Sequence, residues 1–228
     1  MVGFEDCRAH YRHPEKVVVT GTPVRGDFFA LSKQQAKEKL GVNDGRKLIV
    51  SFWGSLGSNA MNRAMADFLA LESAKEPFHH IHGVGEICWS SMQQWLSDDS
   101  VDLSAHPALQ VREYIYDMAA VMRAADLVIC RAGASTLSEL TALGVPAILV
   151  PSPNVTNHHQ EKNAALLGDH GAALVLAEEG LDGKKLFAAA AGLLRDDARM
   201  ARMADSMAQL GIRDATERIY RTVMALVK

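Results

Sequence analysis

What this 228-residue chain lacks narrows its class at once. It has three cysteines, Cys7, Cys88 and Cys130, scattered and without a CxxC pair. So sparse and odd a set excludes a disulfide framework and fits a reducing cytosol. Positive charge is not in excess: the formal net charge is −3. Duplex binding normally needs a basic face, so nucleic-acid binding is excluded as the main activity. No apolar run reaches the ~18 residues that a membrane span requires. No basic-then-apolar amino-terminal stretch reads as a signal peptide. The glycine pattern GxGxxG is absent, as is the lysine of a P-loop, which disfavours dinucleotide and ATP sites. No Asp-x-Asp pair advertises a metal-bound diphosphate, so neither a metal nor a cofactor is indicated. Repeats, low-complexity tracts and interior linkers are missing too.

What remains is ordinary globular composition, 48% apolar and 22% charged, enough to build a real core. Residues 1–15 read as a leader or linker, and 16–228 as one domain. Short apolar stretches predict strands over 16–20, 47–52, 78–82, 108–112, 126–130, 146–150 and 172–176. Helices are expected over 32–40 (Ser32 as N-cap, Gly41 as stop), 59–72, 86–97, 117–124, 136–143 and 158–168. The tail over 183–227 reads as helical, broken near Asp196-Asp197 and Gly211. Unbroken apolar runs such as Leu127-Val128-Ile129-Cys130 and Ala147-Ile148-Leu149-Val150 predict strands covered on both faces. Strands alternating with helices predict an α/β fold with a doubly wound parallel sheet, whose ligands bind beyond the carboxyl ends of the strands.

Two small-residue loops lie at such ends: Phe52-Trp53-Gly54-Ser55-Leu56-Gly57-Ser58-Asn59 and Arg131-Ala132-Gly133-Ala134-Ser135-Thr136-Leu137-Ser138-Glu139. A strand–turn–helix of this kind aims backbone N–H groups and a helix dipole at one point, which suits phosphate. Two anion sites beside a carboxylate point to a nucleoside diphosphate, and so to a nucleotide-sugar enzyme. Glu139 has two open readings. It has capping-box spacing from Thr136, and it is also placed to accept from two ribose hydroxyls. Ser55 offers a hydroxyl to phosphate, and Arg25, after Gly21-Thr22-Pro23-Val24, offers a bidentate partner or is merely solvated. Arg131, at a strand end, reads as a buried structural ion. His158, His159, Gln160 and Asn163 open a helix. Adjacent histidines there point about 100° apart, which argues against a metal pair and for hydrogen bonds to sugar hydroxyls. His82, before Gly83, faces either the cleft or the core. Trp89, Trp95 and the tail methionines read as packing.

The order and spacing of these stretches carry a resemblance. Gly21-Thr22-Pro23-Val24-Arg25, Trp53-Gly54-Ser55-Leu56-Gly57-Ser58, Tyr114-Ile115-Tyr116-Asp117-Met118, Arg131 to Glu139, Gly144 to Pro151 and His159-Gln160-Glu161-Lys162-Asn163-Ala164 resemble the carboxyl-terminal half of the MurG family. Its members are UDP-N-acetylglucosamine–lipid I N-acetylglucosaminyltransferases of peptidoglycan synthesis. The resemblance implies the Rossmann-like donor half of a GT-B enzyme, holding UDP-N-acetylglucosamine. By the same resemblance the Ile115 backbone reads the uracil edge and Glu139 holds the ribose hydroxyls. Arg25, Ser55, Ala134 and Ser135 surround the diphosphate, and His159 and Gln160 contact the sugar. The resemblance places the general base and the lipid-linked acceptor in an amino-terminal half outside this sequence. This half is then inactive alone: it is part of a longer enzyme, or a subunit or binding module working with a separate acceptor chain, at the inner face of the plasma membrane. Three positions depart from the family pattern. Thr22 replaces Asn, Ser58-Asn59 replace Ala-Arg, and Trp53 replaces a glycine, which predicts a bulky ring narrowing the cleft edge.

Overall fold

The computed structural model describes residues 1–75 and 78–227. Six strands, β1 (Leu48–Phe52), β2 (His79–Gly83), β3 (Leu109–Arg112), β4 (Leu127–Cys130), β5 (Ala147–Leu149) and β6 (Ala173–Val175), form one sheet. Every pairing is parallel and the order is β3-β2-β1-β4-β5-β6. The chain runs outward from β1 to β3, returns to β4 beside β1, then runs outward on the other side. The switch point of this doubly wound sheet therefore lies between β1 and β4, where such folds open a crevice.

The strands alternate between two buried layers, which is why β4 and β5 are apolar throughout. Leu48, Val50, Ile81, Val128, Cys130, Ala147 and Leu149 face one layer. It is built from α1 (Lys33–Leu40), α4 (Met118–Ala124), α5 (Ala134–Leu143) and α6 (His159–Asp169). Ile49, Leu127, Ile129 and Ile148 face the other. That layer holds α2 (Asn59–Ser73), α3 (Trp89–Asp98), α7 (Gly183–Leu194) and α8 (Asp197–Gln209). A last helix, α9, spans Ala215–Leu226.

Local signals set the helix ends. Ser32 and Gln35 complete a capping box on α1, and Gly41 stops it in the left-handed region at φ 68°. Asp182 and Asp196 cap α7 and α8 by accepting from Lys185 and Arg199 N–H at 2.7 and 2.8 Å. Asp126, ahead of β4, accepts from Lys37 at 2.6 Å and from the Leu48 N–H at 2.8 Å, fastening α1 to the sheet.

One expected strand does not form. Residues 16–20 contribute a single bridge, Val19 with Val2, outside the six-stranded sheet. Their valines have strand propensity, but the segment runs beside 212–215: a Cβ on Gly21 would lie 2.8 Å from Ile212. β-propensity records fit to a pleated surface and does not by itself provide a neighbouring strand. Over residues 1–15 the chain makes two 3-10 turns, and Phe4 packs on the first core layer.

Candidate functional site

The two loops singled out in the sequence both leave the sheet at its switch point. After β1, the turn takes Gly54 and Gly57 through φ 88° and 82°, where a side chain is disfavoured. After β4, Gly133 is the N-cap of α5, and no side chain caps the helix. The first turn, with Ala134, Ser135 and Thr136, therefore presents N–H groups that have no partner within the helix. Asn163 of α6 braces this loop by donating to the Ala132 carbonyl at 3.0 Å.

Between the loops lies a cavity of about 180 Å³. Ser55 and Gly54 form one wall, Thr136 and Glu139 of α5 another, and Gly83, Gly85 and Ile115 a third. Ile115 packs its side chain onto Gly83, where an added Cβ would lie 3.0 Å from the Ile115 Cδ1. Its backbone N–H and C=O have no partner among the described residues, which leaves them free to read a planar ligand edge.

The structure closes one of the two open readings of Glu139, the capping box. Because α5 begins at Ala134, two residues earlier than expected, Thr136 is already inside the helix and the capping box cannot close. The Glu139 carboxylate is half-buried, lines the cavity and has no hydrogen-bond partner among the described residues. Burial pushes its carboxyl above the ordinary range; Arg25 opposes the rise and Asp27 adds to it. A carboxylate poised in this way gains from any ligand that donates two hydroxyls to it.

The other expected residues sit around this centre rather than in it. Arg25 lies within electrostatic reach of Glu139, yet its exposed guanidinium pairs with Asp27 at 3.3 Å and stacks over Phe28. Ala134 and Ser135 are exposed in the first turn of α5. At the head of α6, the exposed His159 bonds the Thr156 carbonyl at 2.9 Å. Gln160 accepts from the Ser152 N–H at 2.9 Å, which leaves its NH₂ group for a ligand.

One expectation changes. Trp53 does not narrow the cleft: it is buried in the second core layer, with Arg131 over its ring at 5.8 Å. The pleat explains this. Trp53 shares the parity of Ile49, while Phe52, on the opposite face, lines the cavity. Arg131 is structural, bonding Glu178 at 2.6 Å, the Val150 carbonyl at 3.1 Å and Ser58 at 3.2 Å. His82 is a core residue, fully buried between Ser51 and Asn62. The wall formed by Gly83 and Gly85 was not anticipated; two glycines at the carboxyl end of a strand were the available signal.

The fold is that of the Rossmann-like half of a GT-B glycosyltransferase, with a cavity at its switch point. The chain belongs to the glycosyltransferase family 28 C-terminal domain family, whose description matches residues 48–219. A protein of Acetivibrio thermocellus named UDP-N-acetylglucosamine–N-acetylmuramyl-(pentapeptide) pyrophosphoryl-undecaprenol N-acetylglucosamine transferase is 37% identical over 227 residues, covering 100% of this chain and 60% of that protein. A protein of the same name from Listeria welshimeri is 36% identical over 214 residues, covering 94% and 58%. The chain thus spans about 60% of the length of the curated relatives it matches. Among solved structures, Acinetobacter baumannii MurG superposes with a TM-score of 0.71 at 26% identity, covering 93% of this chain and 58% of that one. Staphylococcus aureus MnaA with UDP superposes with a TM-score of 0.69 at 15% identity, covering 98% and 59%, a likeness of fold alone.

Proposed function

We propose that this chain is the donor-binding part of an inverting N-acetylglucosaminyltransferase. It holds UDP-N-acetylglucosamine while an undecaprenyl-linked muramyl-pentapeptide acceptor is glycosylated in peptidoglycan synthesis. The observation that carries the reading is Glu139, a half-buried carboxylate without a partner among the described residues, lining one cavity with Ser55 and Ile115. Uracil lies against Ile115 and the Gly83–Gly85 wall, ribose on Glu139, and diphosphate over Ser55 and the first turn of α5 with Arg25 nearby. N-acetylglucosamine reaches towards His159 and Gln160.

In the transfer, an acceptor hydroxyl attacks the anomeric carbon and the bond to the diphosphate breaks. Negative charge grows on the leaving diphosphate. Uncapped N–H groups, the Ser55 hydroxyl and Arg25 are positioned to stabilise that charge. The acceptor's proton goes to a base in an acceptor half, supplied by the remainder of a longer chain or by a separate subunit. An unpartnered apolar face supports the need for that half: Tyr220, Val223, Met224 and Leu226 of α9 are exposed. No helix among the described residues is long and apolar enough to cross a membrane. On this reading the domain works in the cytoplasm and meets its lipid-linked acceptor at the inner membrane face through the acceptor half.

Calorimetric titration with UDP-N-acetylglucosamine and with UDP tests the reading. Saturable binding that Glu139→Ala abolishes supports it. No binding at millimolar donor contradicts it and points to a module that has lost its ligand.

A further inference from the structure

We infer that Asn62, on the first turn of α2, is the positioning residue that sets the spacing between the two walls of the nucleotide cleft, an inference that rests on the donor-site reading above. The walls meet backbone to backbone. A Cβ on Gly57 would collide with the Val84 carbonyl, and one on Gly85 with the Gly57 N–H. Asn62 is bonded on both sides of this seam. Its backbone N–H donates to the Ser58 carbonyl at 2.8 Å, at the end of the phosphate turn. Its side-chain NH₂ donates to the Val84 carbonyl at 2.9 Å, inside the base wall.

A buried polar chain fixes the orientation of that amide. Because Nδ2 must donate to Val84, Oδ1 faces His82 Nε2 at 3.0 Å, and Nε2 must carry a proton. Flipping the amide would set two acceptors, Oδ1 and the Val84 oxygen, against each other. Burial, reinforced by neighbouring His80, pushes His82 down to about 3, so its ring is neutral and Nδ1 is bare. Nδ1 lies 2.7 Å from the Ser51 hydroxyl and 3.2 Å from the Ser51 carbonyl; with the ring's one proton on Nε2, it accepts from the hydroxyl. With its proton committed, Ser51 accepts from His80 Nε2–H at 2.7 Å. His80 Nδ1 meets Glu72 at 2.6 Å, and one proton lies between that pair. The Val84 carbonyl can only accept, so it fixes the polarity at the Asn62–His82 end and gives the Asn62 amide one stable setting. Buried polar links of this kind rigidify what they hold.

The experiment combines nucleotide binding with amide exchange in wild type, Asn62→Ala and Ser51→Ala. UDP spans both walls, whereas uridine uses the base wall and Glu139. In Asn62→Ala, UDP affinity falls at least tenfold and uridine affinity at most threefold. Exchange at the Gly57 and Gly85 amides quickens at least tenfold, while the amides of β4 and β5 keep their rates. Ser51→Ala, two links back along the chain through His82, shows the same pattern at a smaller amplitude and carries the test if Asn62→Ala does not fold. Nitrogen chemical shifts in wild type place the His82 proton on Nε2. An unchanged UDP-to-uridine ratio with unchanged Gly57 and Gly85 exchange in the folded variants overturns the inference, as does a His82 proton on Nδ1. If wild type binds neither nucleotide, the donor-site reading fails, and the exchange and tautomer readouts alone decide whether Asn62 joins the walls.

Discussion

Glu72 and Glu139 sit on helices on opposite sides of the same sheet and illustrate two uses of a carboxylate. Glu72 is 0% exposed and bonded to His80, although its Oε1 has no hydrogen-bond partner. Glu139 lines the cleft with neither oxygen bonded among the described residues. Around Glu72 the interior is buried and its other oxygen is engaged: His80, Ser51, His82 and Asn62 hand hydrogen bonds along the interior from α2 to Val84. Around Glu139 the structure is left open, with an uncapped helix turn and an unpartnered Ile115 backbone beside it. A buried carboxylate with its partner serves the fold, whereas burial without a partner disfavours folding with Glu139 ionised, which on the proposed function leaves it for the ribose.

The most severe way to break the contrast is Glu72→Ala. It strands buried His80 and should cost about 3–5 kcal/mol in denaturant unfolding, while UDP affinity of the folded protein falls less than in Ser51→Ala, because Glu72 lies two links further from Asn62. An affinity loss matching that of a cleft variant would merge the two regions.

Acidification probes the same interior. His82 titrates near 6.5 unfolded and about 3 folded. The unfolded chain therefore binds more protons between those values, and stability falls as pH falls through that window. With Glu72 and His80 alongside, the drop attributable to His82 is on the order of 4 kcal/mol from pH 7 to pH 3. Unfolding free energies measured across that range check it, and a flat profile would refute a neutral, buried His82.

The cleft side sharpens the contrast with an opposite sign on stability. Burial raises the Glu139 carboxyl in the folded protein, so its ionised form disfavours folding above the unfolded value. Glu139→Gln should therefore raise the melting temperature slightly at pH 7 while weakening UDP about 10- to 100-fold, roughly 1.5–3 kcal/mol for charge-assisted bonds to ribose. A lowered melting temperature would assign Glu139 to the fold. The smallest effect is expected from Trp53→Phe, which trims a core ring and should leave UDP affinity unchanged within about twofold by titration.

Much of this arrangement was legible in the sequence. Strand positions follow from runs such as Leu127–Cys130, because burial on both faces leaves no polar alternation to confuse them. The two loops were legible because small residues after a strand imply a tight exit. Contacts between distant segments were not legible. His82 reads as facing either the cleft or the core until Ser51 and Asn62 are seen to hold it in the interior. Trp53 was misplaced because loop proximity was weighed above the parity it shares with Ile49. The start of α5 moved because Gly133, not a hydroxyl residue, precedes the first helical turn.

The central claim is tested most directly by a crystal structure of the protein with UDP. The account predicts the ribose hydroxyls on both Glu139 oxygens and the diphosphate against Ser55 and the first turn of α5. A nucleotide bound outside that cavity, or a ribose that makes no contact with Glu139, would contradict it.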